Sequence, residues 1–125
     1  MLTIKDPETP LVPRPWGGYV VLCSTPSVWV KKLFIHGGER TSLQRHRERS
    51  EAWYVLSGRI EVVVGNRAWH CVPGDAVLVP QGRLHRITGL SDACVLEVAY
   101  GRVRESDIVR DDDDYGRADE LPGKK

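Results

Sequence analysis

The sequence predicts an all-β domain. Three observations carry that expectation: short apolar or alternating runs recur from Gly17 to Tyr100, turn-forming residues separate them, and no segment there sustains the 3.6-residue period of an amphipathic helix. The runs are 18–23, 28–35, 41–46, 51–56, 59–64, 67–72, 76–79, 84–88 and 93–100. The punctuation is His36-Gly37-Gly38, Ser57-Gly58, Gly65-Asn66, Pro73-Gly74-Asp75, Gln81-Gly82 and Gly89. Many short strands at close spacing make a sandwich or a barrel. Gly65-Asn66, between an apolar run and Arg67-Ala68-Trp69-His70-Cys71-Val72, predicts a tight hairpin.

The flanks differ. Residues 1–16 hold four of the eight prolines, Pro7, Pro10, Pro13 and Pro15, and are read as an extended arm that forms neither a helix nor a central strand. Residues 17–100 form the barrel. Residues 101–125 are a charged tail with Asp111–Asp114 in a row, expected to dock on the domain rather than to bind a metal of its own. At 125 residues the chain is one domain.

Composition narrows the classes. Hydrophobic residues make up 41% and charged residues 28%, ordinary for a globular protein that builds a core without disulfides. A formal net charge of +1 excludes a global field for nucleic acid or an anionic membrane, so an anion site must be local. No run of 18 apolar residues is present, and the N-terminus lacks the apolar stretch of a signal peptide. Three scattered cysteines, Cys23, Cys71 and Cys94, are expected as buried thiols in a reducing cytoplasm.

Four polar residues stand out. Residues two apart on a strand share a face, so Gln44 pairs with His46, and Glu51 with Trp53. The polar 47–50 stretch is read as the turn between them, and His85 follows the Pro80-Gln81-Gly82 turn. Two imidazoles, a carboxylate and an amide oxygen suit one divalent ion: zinc first, with Mn, Co, Ni or Fe as alternatives.

The frame around these residues reads Gly38-x5-Gln44-x-His46-x4-Glu51-x6-Gly58, then Gly74-x5-Pro80-x-Gly82-x2-His85. It resembles the two motifs of the cupin superfamily, with Gln44 where the first His usually stands. That resemblance implies a double-stranded β-helix, a jelly-roll barrel with a metal inside, held by Gln44, His46, Glu51 and His85. A second resemblance covers nearly the whole chain: Arg14-Pro15-Trp16-Gly17-Gly18-Tyr19, Val30-Lys31, Ser42-Leu43-Gln44-x-His46, Arg49-x-Glu51-x-Trp53, His85-Arg86, Leu96-Glu97-Val98, Asp107-Ile108-Val109-Arg110 and Asp114-Tyr115-Gly116-Arg117. The series is similar to the type II phosphomannose isomerase domain, without the guanylyltransferase half to which it is often fused. Departures from that family's pattern fall at Arg47, Glu48, Ala52 and Ala99.

The resemblance implies metal-dependent interconversion of mannose 6-phosphate and fructose 6-phosphate. Such a reaction needs an acid/base group, a Lewis acid and a cation for the phosphate. The expected catalytic residues are Lys31, Arg14 and Glu97; Arg14, Arg86 and Trp53 are expected to contact the substrate, Arg14 by its planar fork. Arg86 qualifies only if a bulge turns it to the face of His85. Trp16, Trp53 and Trp69 serve the core or the barrel rim, Trp53 with the sharper role of an aromatic wall for the sugar. The alternatives are a non-catalytic cupin that binds a sugar phosphate or sugar nucleotide, and another small metal enzyme such as an epimerase or dioxygenase. A homodimer is expected by analogy, with the arm and tail at its interface.

Overall fold

A computed structural model describes residues 10–117. The first nine residues of the expected arm and the last eight of the expected tail lie outside the described residues. All the elements are strands: β1 (Leu11–Arg14), β2 (Gly17–Ser24), β3 (Val28–Ile35), β4 (Leu43–Arg45), β5 (Arg49–Ser57), β6 (Ile60–Val64), β7 (Arg67–Cys71), β8 (Ala76–Val79), β9 (His85–Gly89), β10 (Ala93–Gly101) and β11 (Val109–Asp112). They form two antiparallel sheets, ordered β1-β2-β3-β10-β5-β8 and β11-β4-β9-β6-β7. This is the expected jelly roll. No helix of the described residues is long and apolar enough to cross a membrane.

The alternation in sequence becomes burial in space. Trp29, Lys31, Leu33 and Ile35 face inward from β3, and Arg49, Glu51, Trp53 and Val55 from β5. Val95, Glu97 and Ala99 do so from β10, and Ile60, Val62 and Val64 from β6. Each wide strand is apolar toward one end of the barrel. Polar residues replace the apolar ones toward the other end, in rows that the register aligns: Lys31 opposite Glu97, Glu97 opposite Trp53, and Ala99 opposite Glu51. Burial of the apolar rows drives folding; the polar rows are bought with that stability and mark the site.

Turn chemistry fixes the register. Gly65 opens the β6–β7 hairpin with φ at +63°. Gly58 ends β5 at φ +75°, and a Cβ there would lie 2.1 Å from the Asp92 carbonyl oxygen. No other residue type fits that position.

The arm contributes β1, an edge strand on β2, and the tail contributes β11, which pairs with β4. The proline-rich arm can do so because an edge strand leaves one row of backbone groups unpaired. The 47–50 turn is shorter than expected, since β5 begins at Arg49. Cys71 and Cys94 are buried, but Cys23 is exposed, because a register shift between Val21 and Cys23 interrupts the alternation of β2.

Candidate metal centre

His46, just past β4, Glu51 on β5 and His85 at the start of β9 converge. One ligand atom from each lies within 4.8 Å of the others. The backbone sets both imidazole tautomers. His46 Nδ1 donates to the Asp107 carbonyl at 2.6 Å, and His85 Nδ1 donates to the Arg83 carbonyl at 2.9 Å. A carbonyl can only accept, so each Nε2 is left with its lone pair, the form a metal requires. His46 Nε2 lies 3.1 Å from Glu51 Oε2, and His85 Nε2 lies 3.8 Å from Glu51 Oε1.

The fit to a divalent ion rests on His85 Nε2. That atom is buried and has no hydrogen-bond partner among the described residues. Leaving it so costs free energy that an ion would recover. Its protonation state agrees: burial, the largest influence, pushes the His85 pKa down, while the Glu51 charge opposes. Burial pushes the Glu51 pKa up, but its neighbours His46, His85 and Arg49 together hold it well below the usual range. Trp53 Nε1 donates to Glu51 Oε1 at 3.0 Å and Arg49 Nε to Oε2 at 3.1 Å, which fixes the carboxylate plane.

The two histidines line a cavity of about 380 Å³, within the usual range of small-molecule sites. Arg14, Lys31, Arg49, Arg110 and Arg117 share its wall with only two carboxylates, Glu97 and Glu105. A chain of almost no net charge thus places five cationic side chains around one cavity, three of them paired with carboxylates: Lys31 with Glu105, Arg49 with Glu51 and Arg117 with Asp113. Burial, first, and the Glu51 charge, second, raise the Glu97 pKa well above the carboxylate range, against the pull of Lys31.

Comparison with known proteins follows the same line. Residues 8–113 match the family described as mannose-6-phosphate isomerase C-terminal. The chain belongs to that family. It is 36% identical over 107 residues to the xanthan biosynthesis protein XanB of Xanthomonas campestris pv. campestris, covering 83% of this chain and 23% of that one. It is 32% identical over 104 residues to a mannose-1-phosphate guanylyltransferase of Sinorhizobium fredii, covering 81% and 20%. The chain therefore spans about a fifth to a quarter of the length of these relatives. An RmlC-like cupin from Shewanella frigidimarina shares the fold, with a TM-score of 0.71 and 19% identity over 78% of this chain and 87% of that one.

In this member of the mannose-6-phosphate isomerase C-terminal family, most of the expected site residues meet at one cavity. Gln44 pairs with His85 across β4 and β9 and lines the wall, where its Oε1 accepts from Ser42 Oγ at 2.9 Å. Lys31, Arg14, Glu97 and Trp53 line it as well. Arg14 Nη2 donates to the Tyr19 hydroxyl at 3.2 Å. Trp53 is fully in the core and packs edge-on against His85, ring centroids 5.5 Å apart, so the aromatic wall also orients the ligands. Arg86 is the correction. No bulge turns it, and it is absent from the wall. Its guanidinium donates to the Thr41 carbonyl at 2.9 Å and pairs with Asp112 at 3.1 Å, locking β9 to the C-terminal segment.

The departures from the family pattern fall off the wall too. Arg47 is exposed, Glu48 pairs with Arg104 at 2.9 Å, and Ala52 lies on the outward side of β5. Ala99 is buried opposite Glu51.

Sequence reasoning missed three residues. Arg49 could have been read, since it shares the inward face with Glu51 and Trp53. Its Nη2 donates to His46 Nε2 at 3.2 Å, and its guanidinium lies 4.3 Å from the Trp29 ring centre. Glu105 gave no local signal, and Asp107 stood out only as part of the Asp107-Ile108-Val109-Arg110 segment, with no role attached. The Asp107 carboxylate accepts from the Arg47 and Glu48 amides at 2.8 and 2.9 Å, which aims its carbonyl at His46. Asp107→Ala keeps the carbonyl behind His46 but removes the carboxylate that aims it, and should weaken metal affinity by about 10-fold, the lower end of the loss expected when a histidine ligand's orienting partner is disturbed. Competition with a chromogenic chelator measures this; unchanged affinity would rule out the orienting role.

Proposed function

We propose that this chain is a metal-dependent sugar-phosphate isomerase that interconverts mannose 6-phosphate and fructose 6-phosphate. One observation carries the reading: a single cavity is lined by His46 and His85, which converge with Glu51 behind them, by a cluster of cations, and by a carboxyl, Glu97, whose affinity for its proton is raised. The family's own description points to the same reaction.

His46, Glu51 and His85, with Gln44 as the fourth ligand, would hold the ion, zinc in the first place. When bound, it supplies a Lewis acid for the sugar oxygens around C1 and C2. The protein does the rest. Lys31 and Arg14 hold the phosphate. Glu97 moves the hydrogen: it takes the proton from C2 and returns one to C1, while the hydroxyl proton passes from O2 to O1, so that no atom is gained or lost. A carboxyl with a raised pKa suits both halves of that transfer. The half-enclosed cavity limits water near the reacting carbons.

A coupled assay for fructose 6-phosphate tests this, with mannose 6-phosphate as substrate and Zn, Co or Mn supplied. Turnover that disappears with a chelator and returns with metal is expected. Protein of confirmed metal content that turns over with none of these ions would overturn the reading. The proposed assembly is a homodimer, checked by mass from light scattering.

A further inference from the structure

We propose that Glu105 is a built-in competitor for the cavity's anion subsite: its carboxylate holds the place on Lys31 that a ligand's phosphate takes, and an incoming dianion displaces it. The proposal rests on the sugar-phosphate reading only for the identity of the ligand.

Lys31 is a lysine at a core position. Its side chain is 6% exposed, and Nζ stands 3.7 Å from the Trp29 ring centre and 4.2 Å from that of Tyr19. Aromatic faces attract an ammonium but do not neutralise it. A buried charge needs a partner, and Glu97, opposite Lys31 in the register, is biased toward its neutral form. The pairing anion is Glu105 Oε1, 2.8 Å from Nζ. Glu105 belongs to the turn between β10 and β11, and its side chain is 62% exposed. Burial, the largest single influence, pushes its pKa up, but Lys31, then Arg49 and Arg14, together hold it below the usual range. The carboxylate in contact with Lys31 therefore comes from an exposed turn rather than from the barrel.

Two features make that contact exchangeable. Only the Glu105 end of the pair reaches solvent, so that carboxylate has water to leave to, while the buried Lys31 charge requires that another anion take its place. A phosphate monoester brings nearly two charges and three acceptor oxygens to donors that Glu105 serves with one charge. A neutral sugar brings neither. Glu105 thus sets a threshold: only a ligand with a strong anion opens the subsite.

Calorimetric titration of the full chain and of Glu105→Gln with inorganic phosphate, mannose 6-phosphate and mannose tests this. If the carboxylate fills the subsite nine-tenths of the time, its removal tightens both phosphates about tenfold and leaves mannose unchanged. Glu105→Asp, one methylene shorter, should tighten them less, and the effect of Glu105→Gln should vanish on a Lys31→Met background. Unchanged or weakened phosphate binding in Glu105→Gln would overturn the competitor and make Glu105 a positioning residue for Lys31. Equal binding of mannose 6-phosphate by both proteins keeps the functional reading and overturns the competitor. Tightened inorganic phosphate without mannose 6-phosphate binding supports the competitor and overturns the reading.

Discussion

His85→Ala is expected to purify without its divalent ion and to lose about three orders of magnitude in kcat/KM for mannose 6-phosphate. That magnitude follows from the several kcal/mol that a bound Lewis acid contributes. The geometry explains the size of the effect. His85 Nε2 is the ligand atom with no other partner among the described residues, and its removal leaves only His46 and Glu51 of the converging three. His85 also packs against the rings of His46 and Trp53, so truncation opens a cavity. A second variant, His85→Phe, fills that space with a ring that cannot ligate. Elemental analysis should find both variants empty. Stoichiometric metal in either, after dialysis against free metal, would remove His85 from the site.

Glu97→Gln is expected to lower kcat by about 10²–10⁴-fold, the contribution of a positioned general acid/base, with metal content unchanged. The amide imitates the protonated carboxyl and can still donate to Glu51, so the fold survives. Stability gives an independent readout in metal-free protein. Burial and the Glu51 charge raise the Glu97 pKa. Between the ordinary carboxyl pKa and the raised one, the native state keeps a proton that the unfolded state has lost. Stability of the unsubstituted protein therefore falls as pH rises through that window, and below it the penalty is absent. The amide of the Glu97→Gln variant does not titrate and carries no such penalty. The variant should unfold at higher denaturant than the parent at neutral pH, and the gain should vanish toward low pH. A gain of equal size at every pH, or an unchanged kcat, would sink the assignment.

Much of this was legible in the chain. The β3, β5, β6 and β10 runs alternate, and a strand turns alternation into two faces whatever its neighbours are. His46, Glu51 and His85 sit in a glycine-framed spacing, so their convergence could be expected. Arg86 was harder: only the path of β9 and the arrival of Asp112 decide that it ties strands together instead of meeting substrate.

What the sequence determined alone was therefore local and periodic: the strands, the turns, and which residues share a face. It also offered His46, Glu51 and His85 as candidate donors, because the chemistry of His and Glu needs no fold to be named. Only the tertiary structure decided which charge answers which. Asp107 reaches His46 across 61 positions and Glu105 reaches Lys31 across 74. Closing the barrel places them there, and no short-range pattern records a contact made by closure. The candidate metal site is the meeting of the two: candidate donors written in the sequence, and their tautomers and protonation set by carbonyls and charges that arrive from far along the chain.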